Sequence, residues 1–218
     1  MPTSFEYTFD FNGERFVAAA DRTLWWPAQK ALLLADVHAG KAEHFRRAGA
    51  ALPAGNLAAD LERLERAITR TGARRVIVLG DLFHSEVNAE WQQWADWCRR
   101  QSCAVELVRG NHDRFLSDAD LAAAGMAVHT EPYALGPLQL RHHPPVAAVG
   151  GLHISGHIHP VTWLAGPARD RWRLACFWLR DSQIVLPAFG SLTGGFVIGR
   201  NERALGCSPD FSLLVTKT

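Results

Sequence analysis

The 218-residue sequence has no run of 18 apolar residues and no signal-like apolar N-terminus, so nothing in it reads as a membrane span or a secretory leader. Cysteine is scarce. Cys98, Cys103, Cys176 and Cys207 lack the paired spacing of a zinc site, and a chain of this length buries roughly 70% of its unfolded surface without needing disulfides. The expectation is a soluble, cytoplasmic protein with no membrane partner. Charge of either sign is in balance: 23 basic and 22 acidic residues leave a formal +1, which excludes a strong global pull toward nucleic acid or a membrane surface. Lysine is nearly absent, with Lys30, Lys41 and Lys217 against 20 arginines. That bias fits phosphate recognition by guanidinium forks and, equally, a skewed genomic base composition. No repeat, low-complexity tract or Pro/Ser linker divides the chain, so 1–218 is read as a single domain.

What is present is a series of short apolar runs separated by helical patterns. Phe5 to Ala19 alternates apolar and polar around Asn12-Gly13, a pair suited to a two-residue hairpin turn. Ala31 to Ala35, Arg75 to Leu79 and Ala104 to Val108 have the form of strands buried on both faces. Between the first two, Asn56 is a candidate N-cap, Leu57, Leu61, Leu64 and Ile68 share one helical face, and Gly72 stops the pattern. Val87, Trp91, Trp94 and Cys98 repeat that spacing on a second helix, whose Trp stripe reads as core rather than as a base-stacking platform. Strand and helix in alternation predict right-handed crossovers and a parallel sheet.

After Gly125 the runs become strand-like: Leu138 to Arg141, Leu152 to Ser155, Arg173 to Leu179, Gln183 to Leu186, Phe196 to Ile198 and Phe211 to Val215. Antiparallel pairing is expected there. The fold class is therefore α/β, a sandwich of two β-sheets with helices outside.

Polar residues able to bind a metal close the apolar runs: Asp36-Val37-His38, Gly80-Asp81, Gly110-Asn111-His112-Asp113, His142-His143-Pro144 and Gly156-His157-Ile158-His159. Ligand crevices in α/β sheets lie at the carboxyl ends of strands, so these tips can converge. The 45 residues from Asp36 to Asp81 and the 30 from Asp81 to Asn111 each leave room for a helical crossover. Carboxylate, amide and imidazole donors without thiolate suit Mn²⁺, Fe or Zn²⁺. They are too many for one tetrahedral ion but enough for two ions sharing a carboxylate, an arrangement that acidifies water and clamps a phosphoryl group. Phosphoester hydrolysis is the implied chemistry. Any one of these motifs recurs by accident, and Asp36 alone would suit a turn; the ordered set at strand ends does not.

That set, D-x-H, GD, GNHD, H-x-P and GHxH from Asp36 to His159, resembles the calcineurin-like metallophosphoesterase superfamily. The stretches Ala35 to Pro53, Gly80 to Ser85 and Leu186 to Gly195 further resemble the bacterial DNA-ligase-associated metallophosphoesterases, and GDLFH is similar to double-strand-break repair nucleases with a longer capping region. The resemblance implies a metallophosphoesterase-type sandwich of two mixed sheets, flanked by helices, with the metal site at the strand C-terminal ends. It gives one metal to Asp36, His38 and His159, the other to Asn111, His142 and His157, and places Asp81 between them. His112 would protonate the leaving oxygen, with Asp113 orienting its ring. His84 stands where many members have a carboxylate, and a substrate contact or a supporting role is assigned to it.

The resemblance further implies a DNA endonuclease or end-processing phosphodiesterase in repair, using two divalent ions, Mn²⁺ first among them. Single-stranded or looped DNA would be its substrate, with functional association to a ligase, exonuclease or helicase; oligomeric state is left open. A small-molecule phosphatase or cyclic-nucleotide phosphodiesterase, and a non-catalytic scaffold of the same fold, are the alternatives. His143 competes with His142 as ligand, and the x-Pro pattern of the superfamily favours His142. His44, His129 and His153 are read as packing residues. Lys41, Arg46 and Arg47 either line a phosphate path or form a solvated face, and Ser191 and Thr193 sit in a glycine-rich turn within reach of a phosphate.

Overall fold

The computed structural model describes residues 3–41, 43, 46, 49, 56–84, 88–145, 150–165 and 171–217. A short strand β1 (Thr3–Ser4) leads into the expected hairpin, β2 (Glu6–Phe11) and β3 (Glu14–Ala19). Asn12 and Gly13 take φ of 49° and 88°, the left-handed pair a two-residue hairpin turn requires. Strand β4 (Leu24–Trp26), absent from the sequence reading because it is only three residues long, bridges the hairpin to β5 (Ala31–Leu34).

From β5 onward the first sheet is parallel, through β6 (Arg75–Leu79), β7 (Ala104–Val108) and β8 (Met126–His129). The crossovers include helices α1 (Asn56–Thr71), α2 (Ala89–Arg100) and the short α3 (Asp118–Ala123). Asn88 caps α2 by accepting from the backbone N–H of Glu90 and Trp91, satisfying two donors the helix itself leaves unpaired. Val87, expected inside this helix, lies outside the described residues.

The second sheet comprises β9 (Tyr133–Leu135), β10 (Leu138–Leu140), β11 (Leu152–Ser155), β12 (Pro160–Ala165), β13 (Arg171–Arg180), β14 (Gln183–Val185), β15 (Phe196–Val197), β16 (Arg203–Cys207) and β17 (Leu214–Lys217), with β1 paired to β17. Its order is β1-β17-β16-β13-β14-β11-β10-β9, with β12 and β15 added beside β13. Antiparallel pairing, expected in this half, holds for most neighbours, but β10, β11 and β14 run parallel, as do β12 and β15, so both sheets are mixed, as the resemblance implies. The segments joining them return the chain to the same end of the sheet, which brings the tips of β10 and β11 to the edge where β5, β6 and β7 finish.

Alternation along the central strands explains the two cores. Leu32 and Leu34 of β5, with Val76 and Val78 of β6, pack against Leu57, Leu61 and Leu64 of α1 and Trp91, Trp94 and Trp97 of α2. Their neighbours Leu33, Ile77 and Leu79 face Ile154, Phe177 and Ile184 of the second sheet. Each fully buried side chain of this kind contributes about 1.5–3 kcal/mol. The Trp stripe is thus core, as read. The described helices all join the cluster on the outer face of the first sheet; the outer face of the second carries the small cluster Cys176, Ile198 and Ala204 instead. Among the described residues, no helix is long and apolar enough to cross a membrane.

Candidate metal centre

The strand tips converge because backbone ties lock the loops that follow them. Asp36 N–H donates to Gly80 O at 3.1 Å, His38 N–H to Asp81 O at 3.0 Å, and Gly190 N–H to Asp36 O at 3.1 Å. Within this frame Asp36, His38, Asp81, His157 and His159 have φ of 56°, 52°, 50°, 69° and 51°. Left-handed backbone is costly for residues with a Cβ, of order 1 kcal/mol or more each, and persists where the surroundings over-determine it. These ties do so, and the turned backbone aims each side chain across the strand ends. The preceding glycines are a steric necessity: a Cβ on Gly80 would lie 2.3 Å from the His142 ring, and one on Gly156 would lie 2.5 Å from Ala35 Cβ and 2.7 Å from Asp36 Oδ2.

Two groups of donors result. In the first, His38 Nε2 lies 3.1 Å from His159 Nε2, which is 3.3 Å from Asp36 Oδ1. In the second, His142 Nε2 lies 3.1 Å from Asn111 Oδ1 and 3.0 Å from His157 Nδ1. Asp81 stands between, its Oδ1 3.3 Å from His142 Nε2, and donor atoms of Asp36, Asp81 and His142 fall within 4.8 Å of one another. Donors held about 2.1 Å from a shared ion lie roughly 3.0–3.4 Å apart, the spacing seen in both groups. Asp36 Oδ1 is buried without a hydrogen-bond donor, an arrangement that costs free energy unless a cation completes it. The residues present fit divalent metal.

For His38 and Asp81 the electrostatics agree with that reading. Burial, helped by His159 and Lys41, lowers the His38 pKa to about 2, keeping the ring in its neutral, ligating form. Burial works to raise the Asp81 pKa, but the hydrogen bond and charge of His142 outweigh it and hold the carboxylate ionised. His142 itself is pushed up to about 9: its burial is overcome by Asp81 and by the charge of Asp36. Its Nδ1 bonds to Leu79 O at 3.0 Å, which orients the ring so that Nε2 faces Asn111 and His157. The neighbouring His143 stands at the rim with Nδ1 taken by Glu131 at 2.6 Å, although it also falls within a donor group with His142 and His157.

His112 lies at the mouth of the site. Its N–H donates to Asp81 Oδ1 at 3.0 Å, and its ring, 39% exposed, has Nε2 4.0 Å from Asp81 Oδ2. Asp113 was expected to orient this ring. Instead its fully buried carboxylate accepts main-chain N–H groups of Asp81 (3.0 Å), Phe83 (3.2 Å) and Gly110 (2.8 Å). It ties the loop after β6 to the loop after β7 and so spaces Asp81 from Asn111. Burial raises its pKa to about 6 against those bonds.

The His84 ring stacks on His112 at 4.9 Å between centroids and meets His38 edge-on at 5.2 Å. Lys41 is half-buried beside His38. Arg46, assigned to a phosphate path, pairs with Glu43 at 2.8 Å and Glu90 at 3.6 Å. Arg47 and His44 lie outside the described residues.

Sequence reading missed the supports. Glu131 accepts from His142 N–H at 2.8 Å and His143 N–H at 2.9 Å, and Glu90 accepts from Gly40 N–H at 2.6 Å. A buried pair, Asp60 with Arg63 at 2.9 Å, holds the turn at Gly190 through Ser191 Oγ to Asp60 at 2.6 Å and Arg63 to Phe189 O at 2.5 Å. Acidic residues within helices or before a turn carry no local signature of such tasks.

A search of curated sequences found no match. Among solved structures, the nuclease MPE of Pseudomonas putida superposes with a TM-score of 0.79 at 34% identity, over 93% of this chain and 96% of that one. The phosphoesterase Yfce from E. coli aligns over 86% of this chain and 97% of that one, at 16% identity and a TM-score of 0.47. The family model for calcineurin-like phosphoesterases matches residues 30–155, the stretch that runs from the residue before β5 to the end of β11 and contains five of the seven converging donors. With that match spanning more than half its length, the chain belongs to the calcineurin-like phosphoesterase family.

Proposed function

We propose that this chain is a two-metal phosphodiesterase that cuts DNA, in single-stranded or looped form. The observation that carries the reading is the end-to-end likeness to a nuclease at 34% identity, which covers the strand tips and the second sheet alike. Asp36, His38 and His159 would hold one divalent ion and Asn111, His142 and His157 the other, with Asp81 shared. When bound, such ions acidify water and neutralise charge on a phosphoryl group. The donor set favours Mn²⁺, with Fe and Zn²⁺ also suited.

The chain's own contribution is orientation and proton supply. Leu79 O and Glu131 fix His142 and its loop; Asp113 fixes the spacing of Asp81 and Asn111. His112, at the mouth and beside Asp81, donates a proton to the departing oxygen. The exposed edges of His112 and His157 leave the site open to a polymer. A role in DNA repair, next to a ligase, exonuclease or helicase, follows from the resemblance of the motif-bearing stretches to ligase-associated enzymes.

The test is a matrix of metals and substrates on purified protein: plasmid, hairpin and single-stranded DNA, a nitrophenyl diester, cyclic nucleotides and phosphomonoesters. Cleavage of DNA that chelation abolishes and Mn²⁺ restores better than Mg²⁺ is the expected result. DNA left intact while phosphomonoesters or cyclic nucleotides turn over would reassign the site to a small substrate.

A further inference from the structure

Strand β12 starts at Pro160, the residue after His159, and pairs with β13. The two strands therefore form an arm anchored directly on the candidate metal centre. Parity along β13 sets its faces. Phe177 and Leu179 point into the core between the sheets, so Arg173 and Arg171, at even spacing from them, project from the same inner face. Trp163 is directly opposite Arg173, and the Arg171 guanidinium lies 5.8 Å from the centroid of the Trp163 ring. The tryptophan is 43% exposed, and Trp172, on the opposite face of the arm, is 54% exposed, whereas Trp26, Trp94 and Trp97 are almost completely buried.

A cavity of about 150 Å³ joins His159 to Val161, Arg173 and Thr193 on this face. Trp163 is four steps along the chain from His159, about 13 Å at 3.3 Å per residue, a span that a few nucleotides of single strand cover. The described strands of the arm carry Arg171, Arg173 and Arg180 and no acidic residue. Arg180 has the opposite parity, so the inner face carries Arg171 and Arg173, the latter also donating to Gly195 O at 2.7 Å; in a molecule whose net charge is only +1, this pair makes a local basic surface with an aromatic platform in it.

Resting on the nuclease reading above, we propose that the inner face of this arm is the track for single-stranded DNA leaving the metal centre, with a base stacked on Trp163 and the backbone held by Arg171 and Arg173. Stacking of a base on an exposed aromatic is tolerant of sequence, and an adjacent guanidinium adds cation–π and phosphate attraction. The chemistry matches a polyanion with flat apolar bases. The two requirements, charge and a π-face, are met together here and next to a ligand.

Affinity for a fluorescein-labelled oligo(dT), measured by anisotropy in chelator so that nothing is cut, tests the track. Trp163→Ala should weaken binding about tenfold, Trp163→Phe should restore most of it, and Arg171→Ala should lower the salt slope by about one unit. Turnover of a nitrophenyl diester, which reaches only the metal centre, should stay within about twofold in all three. Unchanged oligonucleotide affinity in Trp163→Ala and Arg171→Ala, in a protein whose wild type cuts DNA, overturns this track and leaves the nuclease reading standing. Wild-type protein that neither binds nor cuts DNA overturns both. A Trp163→Ala variant that sediments as a smaller species, with affinity unchanged, would give the patch to a second copy of the chain and also overturn the proposal.

Discussion

Two polar clusters are buried between the same two sheets, and they solve burial in opposite ways. In the first, Arg75 of β6 makes a bidentate pair with Glu106 of β7 at 2.6 and 2.8 Å and reaches Tyr133 OH at 2.9 Å, while His129 meets the same carboxylate at 2.9 Å and stacks on Tyr133 at 3.8 Å. Opposite charges are matched and the polar groups find partners, as a cluster kept for folding should. At the strand tips, two carboxylates and four imidazoles crowd together, Asp36 Oδ1 lacks a donor, and five of the nine non-glycine residues with positive φ among the described residues are candidate ligands. The second cluster is strained and electrostatically incomplete without a cation. Completeness separates a structural polar core from a functional one more sharply than burial does, because both are buried.

The largest way to break that contrast is Asp81→Ala. As the group between both donor sets, its loss should remove metal from both positions and cut activity more than about a thousandfold, while the folded protein survives because a buried carboxylate has gone. Elemental analysis of the variant retaining two tightly held ions would sink the shared role.

Next in size is His112→Ala. The ring is at the mouth and outside both donor groups, so metal content should stay at the wild-type level while DNA cleavage falls about 10²- to 10⁴-fold. A nitrophenyl diester, whose leaving group is stable as an anion, should lose far less. Equal loss on both substrates would mean that the ring acts on phosphoryl charge rather than on the departing oxygen, and loss of metal would make it a ligand.

Asp113→Asn sharpens the comparison from the supporting side. The amide would set an N–H₂ group against main-chain donors of the two ligand loops, so metal affinity should drop about 10- to 100-fold, the usual cost of disturbing such a support. Titration with Mn²⁺ followed by activity on the nitrophenyl diester reads this; unchanged affinity would return Asp113 to the His112 ring.

The smallest effect belongs to the complete cluster. Glu106→Gln should cost about 2 kcal/mol in urea unfolding, with Arg75 left half-exposed and still bonded to Tyr133, and should leave activity per folded molecule unchanged. Burial alone would raise the Glu106 pKa, but Arg75 and His129 prevail and lower it. A folded value below the unfolded one near 4.3 makes the contribution full above that pH and lost as pH falls through the folded value. The gap between wild type and variant should accordingly narrow on acidification below about pH 4; a gap independent of pH would show that the charge on Glu106 does not matter.

Much of this was legible along the chain. Asn12-Gly13 marks its turn because few residue pairs tolerate two left-handed backbones in a row. The apolar runs at Ala31, Arg75 and Ala104 mark central strands because both faces are covered. The ordered motifs from Asp36 to His159 name the donors, since ligand chemistry selects residue types and the preceding glycines are compelled by close approach. Strands β4 and β9, three residues each, were too short for a period to show, β8, β12 and β16 were not read either, and the parallel run of β10, β11 and β14 follows from how loops return, which no local pattern encodes.

The sequence by itself therefore determined the hairpin, the alternation of strand and helix from β5 to β7 and the chemical inventory of the site, each a property of residues near one another in the chain. Only the tertiary structure decided the rest. It buried the His142 ring and left His143 at the rim with Glu131; it turned Asp113 to the backbone of the ligand loops; it stacked His84 on His112; and it set Trp163 and Arg171 on the face that leads away from His159. Each of these is a contact between residues brought together by packing, and its energy depends on distances that sequence spacing does not contain.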